Sequence, residues 1–403
     1  MQQQFTTNTV KNWLLLVSVF CFSFALKVSV VSWVAIGLIT LFNKEQRSQL
    51  VLNFKKEKYL WLFPFLYLMH LVGLLWTSNW SQAGLDLQIK MTLLLLPVIF
   101  SSFYLDELLL NKIRRYFIGG VLLSCLLLLF VALKKFTTQG NITVFFYSEL
   151  SSAIMHPTYF SMYLNAAMLF VFHEILLSSH RRTIWMGAAV MIILFLFTVL
   201  LSARTAEATA FISIIVMVFL YWRRKAGFRF VYPLLVVLSV TALSQLILLK
   251  YSNRFAQVEN AIQSKQHVTE TSYNSTTGRL EIWKEVFSIL PDYWLLGTGT
   301  GDVKDVLNQT YHQHNFAYGY EKSLNAHNQY LQTFLAIGIV GLLLFILTIK
   351  IPWLMRNAYH PLLLMLLFIF ALNCITESML EGQRGAIFFA LMISIFGRKV
   401  ESS

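Results

Sequence analysis

Long apolar runs separated by short polar clusters dominate this chain. A helix that crosses a bilayer needs roughly 20 apolar residues. Twelve stretches approach that pattern, with cores near 12–26, 28–42, 59–77, 91–104, 116–133, 158–177, 184–203, 205–221, 230–249, 329–349, 360–376 and 383–396. They predict an all-α polytopic membrane protein with about 12 transmembrane helices. Lys27 alone separates the first two runs, so 12–42 reads as either two spans or one. The first run is not followed by a small-residue cleavage site and a polar mature start, so a signal peptide is not expected.

One interval breaks the rhythm. Residues 250–328 form a long polar loop, which divides the chain into helices 1–9 (1–249), a loop domain (250–328), and helices 10–12 with a tail (329–403). Inside the loop, Leu280, Trp283, Val286, Phe287 and Leu290 recur at helical spacing. This predicts a helix with an apolar face that ends before Pro291, followed by a turn from Trp294 to Gly301.

Charge gives the orientation. When alternate connections are assigned to opposite sides, one side collects Lys11, Lys44, Arg47, Lys55, Lys56, Lys58, Lys112, Arg114, Arg115, Arg181, Arg182, Arg223, Arg224, Lys225, Arg229, Lys350, Arg356, Arg398 and Lys399. That is 19 of 32 basic residues; seven more lie in the long loop, which counts little, leaving 19 against 6. The positive-inside rule then makes both termini cytoplasmic and the long loop periplasmic.

Composition agrees and narrows the function. At 57% hydrophobic and 13% charged, with a mean hydropathy of +0.62, the chain lacks the charge of a soluble domain. The net charge of +13 is accounted for by topology, so nucleic acid is not an expected partner; membrane lipids are. Cys21, Cys125 and Cys374 all lie in apolar stretches and offer neither a disulfide framework nor a thiolate zinc site.

Ionisable residues near the external span ends are the candidate chemistry, because such groups are costly in a membrane unless paired or hydrated. Arg204 and Glu207 interrupt two apolar runs; they can close a local salt bridge, or Arg204 can hold a phosphate with its guanidinium fork. Arg279 opens the predicted helix of the loop, where backbone N–H groups favour an anion and where a solvated first-turn arginine is also ordinary. His327, in Asn-Ala-His-Asn-Gln-Tyr, precedes the tenth span and suits either an interface hydrogen bond or proton transfer. Arg384, flanked by Glu377 and Glu381, starts the last span, and His156 before Pro157 starts the sixth. All five fall on one side under an orientation drawn from other residues. His312 and His314 have no third partner to complete a metal site, and no metal is expected. Gly297, Gly299 and Gly301 imitate half a phosphate loop without its Gly-Lys-Ser/Thr, so a nucleotide site is not expected. The chain has no Gly-x-Ser-x-Gly and no His-Glu-x-x-His.

Leu-Ser-Ala-Arg-Thr at a span end, Gly-Arg-Leu-Glu-Ile-Trp with Leu-Leu-Gly-Thr-Gly after it, and Ala-His-Asn-Gln-Tyr-Leu before Gly338 and Gly341 together resemble the O-antigen ligase and polymerase superfamily. Glu-Ser-Met-Leu-Glu and the arginine after it look like the closing segment of ligase-type members. The resemblance implies a GT-C-like inner-membrane glycosyltransferase, inverting and metal-independent, with no cofactor. Its donor would be a glycan on undecaprenyl diphosphate, its acceptor lipid A-core or another glycan, and its site would face the periplasm. By position, Arg204 and Arg279 correspond to the diphosphate-binding arginines and His327 to the essential histidine, with His156 and Arg384 as further members of the site. A polymerase with the same donor chemistry is the alternative within the superfamily. A polysaccharide-lipid flippase or transporter is the alternative from another class, although no internal repeat between halves favours it.

Overall fold

The computed structural model describes residues 2–201, 204–222, 277–351 and 361–398, and everything below concerns these. They are helical, with no strand among them. The first apolar region resolves into two helices, α1 (Gln2–Cys21) and α2 (Leu26–Phe42), packed as a hairpin. Ser29 donates to the Ser18 carbonyl at 2.7 Å and the Trp33 indole to Ser18 Oγ at 3.0 Å, so the short turn carries its polar groups inward. A third helix, α3 (Lys44–Lys56), turns through 101° from α2.

A 3₁₀ turn (Lys58–Trp61), α4 (Leu62–Val72) and a second 3₁₀ turn (Gly73–Trp76) make the next crossing, followed by α5 (Trp80–Ser101) and α6 (Glu107–Gln139). After the short α7 (Tyr147–Ser151) come α8 (Pro157–Leu177), α9 (Arg181–Leu200) and α10 (Arg204–Trp222). The described part of the long loop holds α11 (Thr277–Tyr293), α12 (Val303–Gln313) and α13 (Ala317–Glu321). The chain closes with α14 (Gln329–Ile349), α15 (Pro361–Thr376) and α16 (Gln383–Phe396).

Six of these helical stretches are long and apolar enough to cross a bilayer, or seven if the bent α2–α3 pair is one span. The twelve-span expectation is therefore supported in part. Nearly every predicted core has a helix over it; several are shorter than a full span, and the ninth, 230–249, lies outside the described residues. Residues 250–276 of the predicted loop domain also lie outside them.

The centre of the bundle is α8 and α16, buried around almost their whole circumference, as expected of helices enclosed by other helices. Tyr163 of α8 stacks on Phe388 of α16 at 5.4 Å and donates its hydroxyl to the Arg384 carbonyl at 3.0 Å.

Two features differ from the sequence reading. In α11 the buried side is Ile282, Glu285 and Val286, while Leu280 and Phe287 are exposed, because Glu285 turns inward to meet His314, the residue that ends α12. The helix also runs past Pro291 to Tyr293; a proline in a final turn removes only one ladder bond. The alternating glycines have a structural use. α14 breaks at Ile337 and Gly338, and the 294–302 segment supplies the partners its backbone loses. Thr298 N–H donates to the Leu335 carbonyl at 2.6 Å, Gly299 N–H to Ala336 at 3.2 Å, and Ile339 N–H to the Trp294 carbonyl at 2.9 Å. A broken helix at membrane depth is tolerated when protein satisfies the freed groups in this way.

Gly338 has φ 66°, and a Cβ there would overlap the Leu295 carbonyl. Gly338→Ala combines a left-handed backbone with a steric overlap and should destabilise the protein by more than about 1 kcal/mol. The check is a lowered thermal midpoint of the detergent-solubilised variant.

Candidate functional site

The Asn-Ala-His-Asn-Gln motif spends its polar side chains on its own scaffold. Asn328 caps α14 by accepting the N–H groups of Tyr330 and Leu331. Gln332 accepts the Ala326 N–H at 3.1 Å, and Asn325 accepts the His327 N–H at 3.0 Å. Gln329 reaches across to accept the Leu380 N–H at 2.6 Å, which fastens the motif to the segment between α15 and α16. Held this way, His327 adopts φ 43°, a left-handed conformation uncommon for residues with a side chain. Such backbone persists only where the surroundings over-determine it, and it clusters at functional sites.

The His327 Nδ1 atom lies 3.3 Å from Oε1 of Glu377, a carboxylate only 8% exposed in the turn after α15. Burial acts to raise the Glu377 pKa; the contact and charge of His327, then the charges of His156 and Arg279, outweigh it and hold the carboxyl below its usual range. A carboxyl with a depressed pKa is ionised throughout the neutral range, and what that ionised form contributes is lost only as pH falls through the lowered value.

His156 caps α8, accepting the Thr158 N–H, and its charge acts on the same carboxylate. Loss of water around its imidazole lowers its pKa, Glu377 opposes that, and the His327 and Arg279 charges add to the lowering, so the ring is neutral at pH 7. Arg279, half-buried in the first turn of α11, is positioned by the next turn of its helix, where the Trp283 indole donates to the Ala326 carbonyl at 3.1 Å beside His327.

Of the five sequence candidates, His327 thus contacts Glu377, and the charges of His156 and Arg279 act on that carboxylate. Arg384 is used differently. Its guanidinium donates to the carbonyls of Phe22 and Ser23, each at 3.3 Å, and of Ile154 at 2.9 Å, tying the α1–α2 turn and the segment before His156 to the start of α16. Arg204 is the first residue of α10, which packs against α8 and α15; its side chain lies outside the described ones. Sequence reasoning treated Glu377 and Glu381 only as neighbours of Arg384. Two carboxylates in a five-residue turn between apolar spans were the available signal. Glu381 is 2.8 Å from the buried Lys90 of α5, which also pairs with Asp86 at 3.3 Å. This network anchors the turn that presents Glu377.

The two rings of His-Gln-His diverge: His314 contacts Glu285, and His312 packs against Tyr320. Among the described residues no group of three or more His, Cys, Asp or Glu side chains is placed to hold a metal.

The polar groups also sort by bundle end. His156, Arg279, His327, Glu377 and Arg384 gather at one end, with the Glu381–Lys90 pair reaching inward to the middle of α5. Lys11, Asn53 and Arg398 bond to the carbonyls of Ser102, Ser101 and Phe100 at the other. Lys11 and Arg398, which the alternation of basic residues assigns to one side, lie at the same end. Reporter fusions after residues 50, 180, 225 and 355 are expected to read cytoplasmic and fusions near 270 and 315 periplasmic; a cytoplasmic signal at 270 would put the cluster on the wrong side.

Chemically, an imidazole close to a buried carboxylate can serve as a base, and an arginine whose charge reaches the same carboxylate can provide cationic donors for an anion. Residues 188–346 match the family model described as O-antigen ligase. The matched segment contains Arg204, Arg279 and His327; His156, Glu377 and Arg384 lie outside it. No curated protein matches the chain. A multi-pass helical architecture and the ordered arginine and histidine motifs accompany the matched segment, and the O-antigen ligase model at residues 188–346 supports the O-antigen ligase superfamily for this chain.

Proposed function

We propose that this chain is a bacterial inner-membrane glycosyltransferase of GT-C-like architecture. It would move a glycan from undecaprenyl diphosphate to an acceptor hydroxyl, with lipid A-core as the acceptor, at a site open to the periplasm. The observation that carries this reading is the His327–Glu377 pair, with the charges of His156 and Arg279 close enough to act on the same carboxylate.

In this reading Glu377 keeps the imidazole proton on Nδ1, leaving Nε2 as the lone pair that takes the proton of the acceptor hydroxyl. The acceptor oxygen attacks the anomeric carbon from the face opposite the diphosphate, and the configuration inverts. The bond to the lipid diphosphate breaks with its electron pair passing to phosphate oxygen. Arg279 and Arg204 bind the departing charge more tightly than the ground state, which lowers the barrier. The leaving group needs no protonation, so a second acidic residue is not required. Neither nucleotide nor metal enters the scheme. Arg384 contributes by positioning, since its three carbonyl bonds fix the α1–α2 turn and the segment that leads to His156 against the start of α16.

The test is transfer by the purified protein in proteoliposomes supplied with undecaprenyl-diphosphate-linked glycan and lipid A-core. Glycan appearing on lipid A-core supports the reading. Elongation of the lipid-linked glycan without ligation identifies a polymerase, and movement of the donor across the bilayer without transfer identifies a flippase.

A further inference from the structure

α3 lies apart from the His327 cluster. Its 101° turn from the apolar α2 lays it across the end of the bundle opposite the His327 cluster, as an interfacial helix lies in the membrane plane. One side is committed to the protein: Gln46, Asn53 and Phe54 are buried, and Asn53 donates to the Ser101 carbonyl at 2.8 Å. The other side is a shallow groove lined by Lys44, Arg47, Ser48, Val51, Leu52 and Lys55. Its cations stand toward both ends, and between them Val51 and Leu52 are 47% and 59% exposed. No carboxylate lines it.

We infer that this groove binds an anionic phospholipid of the adjacent leaflet, with the phosphate between Lys44 and Arg47 or at Lys55 and the upper acyl chain over Val51 and Leu52. Charge complementarity selects an anionic headgroup, and the exposed apolar pair selects a lipid over a soluble anion. A juxtamembrane cation near an anionic surface strengthens binding about fivefold. Loss of three cations is therefore expected to weaken retention on the order of a hundredfold.

The experiment is native mass spectrometry of the full chain released from micelles carrying equal phosphatidylglycerol and phosphatidylcholine. The comparison is between wild type, the triple variant Lys44→Gln/Arg47→Gln/Lys55→Gln, and Lys134→Gln/Lys135→Gln at the opposite end. Wild type and the Lys134/Lys135 variant should retain phosphatidylglycerol selectively, and the triple variant should lose that selectivity. Raising salt from 0.05 to 0.5 M, about the range over which surface charge is screened, should release phosphatidylglycerol from wild type; this arm stands even if the triple variant does not fold. Equal retention of both lipids by wild type, unchanged selectivity in the folded triple variant, or displacement by inorganic phosphate at equal concentration would each overturn the inference.

Discussion

His327→Ala is expected to yield normally expressed, detergent-stable protein that still binds lipid-linked donor and transfers glycan at least about a hundredfold more slowly, the lower part of the range for loss of a general base. The scaffold around position 327 is held by Asn325, Asn328, Gln329 and Gln332, none of which needs the imidazole. Folding should therefore survive the change, and alanine accepts the backbone at the cost of some left-handed strain. Donor binding should survive because it rests on the arginines. The measurement is single-turnover transfer alongside donor affinity for the purified variant. Near-wild-type turnover, or a loss explained entirely by lost protein, would return His327 to a hydrogen-bonding residue of the interface.

The second large effect is at Arg279. Arg279→Ala should lower kcat/KM by about 10² or more, the scale for removing one preorganised donor from a developing anion. Arg279→Lys should be nearly as damaging. A lysine keeps the charge, so the field that Arg279 exerts on Glu377 and His156 would persist; it cannot reproduce the planar fork that meets two phosphate oxygens at once. The same kinetics separate the cases: a Lys variant that keeps most of the transfer activity makes Arg279 a long-range electrostatic residue and removes it from direct contact with the diphosphate.

Much of this architecture was legible because a bilayer forces helices to declare themselves. Apolar runs predicted most of the described helices but not α3, α7, α12 or α13, and the open choice between one span and two over 12–42 resolves into the α1–α2 hairpin, broken between Cys21 and Leu26. The same physics explains why helix counts and span counts diverge: α15 and α16 are apolar but short, so their composition announces a membrane element without fixing a full crossing. His327, His156 and Arg279 could be nominated from sequence because each is a costly residue at an external span end. Their common partner was harder to see. Glu377 is separated from His327 by a complete helical hairpin, and nothing in local spacing reveals that Gln329 ties the two turns together. Arg384 shows the converse difficulty. A guanidinium in an external turn looks like an anion site until its donors are found on the carbonyls of Phe22, Ser23 and Ile154. The glycines at 297, 299 and 301 imitate a phosphate loop because a chain passing close to a broken helix needs the same small residues as a chain cradling a phosphate.

A double-mutant cycle on His327→Ala and Glu377→Gln, read as single-turnover transfer from lipid-linked donor by the reconstituted protein, tests most directly whether the two residues act as one base. Glutamine keeps the shape at 377 and removes the charge that orients the ring. If the pair is a unit, Glu377→Gln slows wild type substantially but adds almost nothing to His327→Ala, so that the double variant matches the histidine variant alone. Independent, multiplying losses would contradict the dyad and leave Glu377 with only a structural role in the turn.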